Sequence, residues 1–98
     1  MEYKLYFLSQ ALKEWKSLDK NIQNQFKKKL TERLENPHVL PSKLSGNKNR
    51  YKIKLHSVGY RLVYEVIDEE LVVVVIVIGK REKNKVYKVA DSRNMKIV

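Results

Sequence analysis

The chain has 98 residues, 43% of them hydrophobic, which is enough for one modest core, so a single domain over 1–98 is expected. It holds no cysteine, which excludes a disulfide framework and a thiolate zinc site; its two histidines stand far apart, and neither a metal nor a cofactor is expected. Its 21 basic and 11 acidic side chains leave a formal charge of +10, a field that attracts polyanions such as RNA, DNA, an anionic membrane or an acidic protein.

The opening stretch, MEYKLYFLSQ, lacks the basic start, uninterrupted apolar core and small-residue cleavage site of a signal peptide. No apolar run reaches the length of a membrane span, so a soluble cytoplasmic protein without a membrane partner is expected. Residues 2–8, EYKLYFL, read as a first strand, with Ser9 as the cap of a helix from about Gln10 to Leu18. Leu12, Trp15 and Leu18 recur every three residues, and Ile22, Phe26, Leu30 and Leu34 every four, giving two amphipathic helices joined around Asp19 to Asn21. The second stops near Asn36, because Pro37 disfavours helical geometry in the residue before it, and residues 37–49 read as a loop.

After that loop the period falls to two. Tyr51, Ile53 and Leu55 alternate with Lys52, Lys54 and His56, one apolar face against one cationic. YRLVYEVI at 60–67 and LVVVVIVI at 71–78 read as two more strands, separated by turns at Ser57–Gly59 and Asp68–Glu70. The last is apolar on both faces, so it is expected to be central and covered. A weak helical period returns after Asn84. The expected fold is α+β: a small antiparallel sheet of about four strands packed against an N-terminal helical hairpin, with a short C-terminal helix.

A two-residue turn at Ser57-Val58 pairs Lys54 with Arg61 and Ile53 with Leu62, which keeps apolar residues against apolar ones; a slip by one residue mixes the faces. If Asp68-Glu69 is also a two-residue turn, Arg61 pairs with Ile76, and the segment after Gly79 returns beside Lys54 and Arg61. Lys52, Lys54, Arg61 and Arg81 then converge from three segments with Tyr87 nearby, an arrangement whose mutual repulsion favours an anion. The alternative, that these lysines are simply a solvated face, stays open on pattern alone.

The stretches KLSGNKNRYKIKLHSVGYRLVYEV and VVVVIVIGKREKNKVY closely resemble the RelE branch of the RelE/ParE toxin superfamily, and ALKEWKSL and FKKKLTERLENP are similar to its two helices. The resemblance runs from about Tyr3 to Tyr87; the tail KVADSRNMKIV departs from it. It implies a ribosome-dependent mRNA endonuclease that acts in the ribosomal A site against 16S rRNA and is held inactive by a RelB-like antitoxin protein. The family's active-site residues fall on Lys52 and Lys54 in YKIKL, Arg61 in GYRLVY, Arg81 in GKRE, and Tyr87. Arg50 and Lys80, flanking these motifs, are expected to touch nucleic acid.

The implied reaction uses the 2'-hydroxyl of RNA as nucleophile on the adjacent phosphate, leaving a 2',3'-cyclic phosphate and a 5'-hydroxyl; DNA lacks that hydroxyl. It needs in-line geometry, a base, charge stabilisation and a proton for the leaving oxygen, and it can run without a metal. Neighbouring cations favour a phenolate, which makes Tyr87 the expected base with Lys52 and Lys54 beside it. Arg61 can grip the phosphate with its planar fork. The resemblance assigns proton donation to Arg81, although a guanidinium is a weak acid and its electrostatic role is the firmer one.

Other features read as structural. His56 and the Lys27–Lys29 run are expected to be solvated, Trp15 to be core, and Asp68, Glu69 and Glu70 to form a turn. Two rival functions remain: a ParE-like inhibitor of DNA gyrase, and a basic module that holds RNA without cutting it.

Overall fold

The computed structural model describes residues 2–46, 48–82 and 85–93. In chain order these form β1 (Lys4–Phe7), α1 (Ser9–Lys16), α2 (Lys20–Glu35), β2 (Arg50–Leu55), β3 (Tyr60–Ile67), β4 (Val72–Lys80) and α3 (Lys85–Ser92), with single 3-10 turns at Leu40–Ser42 and Asp68–Glu70. Lys83 of the basic run and the last five residues of the tail lie outside the described residues.

The helical hairpin forms as its periodicity predicts, with one difference at its start. Ser9 is the first helical residue rather than the cap; Leu8 occupies the cap position, and no side chain bonds there. Leu8 is buried and its N–H still belongs to the sheet, donating to Val75 O at 3.0 Å, so packing of a strand residue sets where the helix begins. At α2 the Asp19 carboxylate accepts the Ile22 N–H at 3.0 Å, a side-chain cap of the usual kind. Ile22, Phe26 and Leu30 point into the core, and the helix ends at Glu35, with Asn36 at the C-cap position directly before Pro37. Trp15 is partly buried, with Phe7 and Phe26 around it at ring-centroid distances of 5.6 and 6.4 Å.

The sheet order is β1-β4-β3-β2. β2, β3 and β4 are antiparallel as expected, but β1 joins β4 in parallel, so the sheet is mixed. The hairpin is the crossover that permits this: it returns the chain over one face before β2 begins. Every residue of β4 from Val72 to Ile78 is buried, which its unbroken apolar run requires of a central strand covered on both sides.

The β2–β3 register matches the sequence reading, with Lys54 opposite Arg61 and Ile53 opposite Leu62. The β3–β4 register does not. Arg61 pairs with Gly79, not Ile76, because the connection is a 3-10 turn followed by Leu71 in the left-handed region (φ 55°), and a bulge between Val63 and Tyr64 takes up a further residue. The three-residue offset carries the Gly79–Arg81 segment still closer to Arg61.

Candidate active site

Residues directly opposite in a sheet share a face. Lys54, Arg61 and Gly79 therefore lie on one face of the sheet, beside the row of Lys52, Val63 and Val77. The other face carries Tyr51, Ile53 and Leu62 into the core under the helical hairpin. There Arg33 of α2 donates to the Tyr64 hydroxyl at 2.8 Å and to Lys52 O at 3.2 Å, while Tyr64 donates to Pro37 O at 2.8 Å. The strand that bears Lys52 and Lys54 is thus held from behind.

α3 lies over the cationic face, packed on β3 and β4 through buried Val86 and Ala90. Gly79 makes that approach possible: a Cβ placed there would stand 3.1 Å from Val86 Cγ2, tighter than ordinary contact. Tyr87, the next residue, comes to Lys52, whose Nζ is 6.0 Å from the centre of the phenol ring. The Tyr87 hydroxyl is buried without a hydrogen-bond partner among the described residues. Arg81 is exposed, and its N–H donates to Gly59 O at 2.6 Å, which stitches the GKRE segment to the β2–β3 turn beside Arg61.

The electrostatics report the same convergence. The Lys54 ammonium is held below the usual lysine range, first by the charge of Lys52, then by Arg61, by partial desolvation and by Arg81. Cations from β2, β3 and the segment after β4 repel one another here, and an anion between them would relieve that repulsion.

One expectation is revised by position, and a second residue is turned away from the cluster. Arg50 is not on an RNA-accessible surface: it is 4% exposed, and its guanidinium donates to Glu65 Oε1 at 2.7 Å, to Arg93 O at 3.1 Å and to Ala90 O. It shares the face of Lys52 and Lys54 by strand alternation; what local sequence could not show is that α3 covers that end of the strand. Lys80 is exposed but pairs with Tyr60, so alternation turns it to the face away from Lys54 and Arg61. His56 and Lys27–Lys29 are exposed, as expected.

Sequence reasoning missed the pair that joins α1 to the end of α3. Arg93 donates to both carboxylate oxygens of Glu14, at 2.9 and 2.8 Å, and to Ile76 O at 2.8 Å, while Glu14 Oε1 accepts the Ile78 N–H at 3.0 Å. With the partners 79 positions apart in sequence, no periodicity signals it. Among the described residues there is no group of three or more His, Cys, Asp or Glu placed to hold a metal ion, and no helix long and apolar enough to cross a membrane.

The chain is 54% identical over 93 residues to the mRNA interferase toxin RelE of Escherichia coli, an alignment covering 95% of this chain and 98% of that protein. Its structure is similar to that of a doubly substituted E. coli RelE toxin in the free state, at 52% identity and a TM-score of 0.87, covering 97% of this chain and 100% of that one. It is also similar to a chain of the intact E. coli RelBE toxin–antitoxin complex, at 54% identity and a TM-score of 0.79, covering 83% and 99% of the two chains. Residues 5–85 match the family model described as the ParE toxin of type II toxin–antitoxin system, parDE. The mixed sheet, the helical hairpin and these similarities together establish that the chain belongs to the ParE toxin family of type II toxin–antitoxin systems.

Proposed function

We propose that this chain is the toxin of a type II toxin–antitoxin pair and an mRNA interferase, an endoribonuclease that cuts translated mRNA in the ribosomal A site. The observation that carries the reading is the convergence on Lys54: Lys52, Arg61 and Arg81 depress its proton affinity from three separate segments, with Tyr87 against Lys52. Similarity above 50% to proteins named as mRNA interferases supports RNA chemistry over gyrase inhibition.

In this reading Arg61 binds the scissile phosphate through two charge-assisted bonds, and Lys54 and Arg81 offset the charge that grows on its oxygens. Tyr87, acting as its phenolate, takes the proton of the 2'-hydroxyl as that oxygen attacks phosphorus; the P–O5' bond breaks, and the leaving 5'-oxygen takes a proton from a solvent water beside Arg81, whose charge stabilises it until then. The products are a 2',3'-cyclic phosphate and a 5'-hydroxyl. The Tyr87 hydroxyl has no hydrogen-bond partner among the described residues, so its bond is left for substrate to make where the phenol stands, consistent with catalytic hydrogen bonds that tighten only in the complex. Lys80, exposed on the face away from Lys54 and Arg61, is assigned to the RNA or 16S rRNA backbone away from the scissile phosphate, and Arg50 is not. The inhibitor is a RelB-like antitoxin whose acidic or helical segment answers the cationic face.

The test is to incubate the purified protein with free mRNA and with programmed ribosomes, and to map ends by primer extension. Cuts at codon-related positions on ribosome-bound message, lost in Arg81→Ala, are the expected result. Binding without cutting leaves a basic RNA-binding module, and gyrase inhibition without cutting leaves the ParE-like function.

A further inference from the structure

α3 is eight residues long, and a helix of that length is marginal in isolation, so the place of Tyr87 depends on what anchors it. Val86 and Ala90 supply apolar contact. The polar anchors are at the far end. Arg50, buried in β2, has its guanidinium against the carbonyls of Ala90 and Arg93, where the orphan acceptors and the negative end of the helix dipole favour a cation. The Glu65 carboxylate, directly across the ladder from Arg50, fixes the third direction of the fork at 2.7 Å. Three donors to three acceptors in one plane define an orientation that a single ammonium cannot.

The geometry has a second consequence. Ala90 follows Tyr87 by three residues on the same helix, and Lys52 follows Arg50 by two on the same strand and the same face. β2 therefore sets both sides of the Lys52–Tyr87 contact, one directly and one through the end of α3. We propose that Arg50, with Glu65, is a positioning residue for Tyr87: it clamps the carbonyl end of α3 and so holds the phenol against Lys52 for RNA cleavage. This rests on the assignment of Tyr87 above.

Two variants test it. Arg50→Lys keeps the charge and loses the fork; Arg50→Gln with Glu65→Gln removes both charges together, so that neither is left buried and alone. Each is compared with the parent by amide hydrogen exchange and by single-turnover cleavage on programmed ribosomes. Exchange at Val86 to Ala90 should rise at least about tenfold while that of β4 stays unchanged. Cleavage at saturation should fall about tenfold or more, with the half-saturating ribosome concentration unchanged, since misplacement of a reacting group costs rate rather than binding. In a Tyr87→Phe background the same changes should cost nothing further, because a clamp acting through Tyr87 has nothing left to position.

Unchanged exchange in α3 overturns the proposal, as does a loss that is fully additive with Tyr87→Phe or that falls on half-saturation alone. Normal cutting by Tyr87→Phe itself overturns the base assignment instead, and exchange in α3 then decides the clamp by itself.

Discussion

Lys54 and Arg61 stand directly opposite each other across β2 and β3, two cations in register, and neither is in an ion pair among the described residues. Relief of this repulsion should stabilise the fold: Lys54→Met is expected to raise Tm by a few degrees while abolishing most cleavage, the trade-off of a site built for a ligand. Because the folded value of Lys54 is depressed, the unfolded chain binds more protons between that value and the ordinary lysine range. Stability should therefore rise with pH across that alkaline window, and the penalty is fully present below it. Thermal melts of parent and variant against pH, with and without inorganic phosphate, measure this. An equal response of both proteins to phosphate would contradict it.

Tyr87→Phe removes a hydroxyl that is buried and without a partner among the described residues, so Tm should be unchanged or higher, since replacing an unsatisfied polar group by an apolar one is neutral or favourable. Cleavage of ribosome-bound mRNA should drop by about 10²–10⁴, the ordinary worth of a general base. A variant that cuts at the parent rate removes tyrosine from the chemistry.

Gly79→Ala places a methyl 3.1 Å from Val86 Cγ2, and Val86 adjoins Tyr87. The helix must give by a few tenths of an ångström. Cleavage should fall about tenfold with a Tm change of only a degree or two, because the strand gains propensity as α3 is displaced. Rate measurements on programmed ribosomes beside a melt separate the two effects, and parallel losses would show a general loss of fold.

At the opposite end of the sheet, Asp68 accepts from the Tyr3 hydroxyl at 2.8 Å, and His38 and Asn49 contact it as well. The Tyr3 bond first, then His38 and Asn49, hold its carboxyl below the usual range against some desolvation. This contribution to stability is present above the ordinary carboxylate value and is lost as pH falls through the folded one. Asp68→Asn should flatten the acid limb of the stability curve and leave cleavage at neutral pH unaltered. An acid limb identical to the parent's would refute it.

Period-two alternation in YKIKL and YRLVYEV predicts the β2–β3 register, because a one-residue slip would bury Lys54 and expose Leu62. The same logic fails between β3 and β4, where β4 is apolar on both faces and no slip is penalised by pattern; turn geometry at Leu71 and the bulge at Val63/Tyr64 decide instead. Arg50 shows the other limit. Its place on the face of Lys52 and Lys54 follows from alternation, yet a basic residue on that face is a buried anchor at one end of the strand and a partly exposed member of a cation cluster at the other.

By itself the sequence determined the helical hairpin, the three antiparallel strands and the convergence of Lys52, Lys54 and Arg61, because these follow from local periodicity and from one short turn. Only the tertiary structure decided the parallel addition of β1, the offset of β4, the seat of α3 on Gly79, the burial of Arg50 and the pairing of Glu14 with Arg93. Each of those depends on which distant surface covers a residue, and burial by a segment dozens of residues away leaves no mark on the pattern around it.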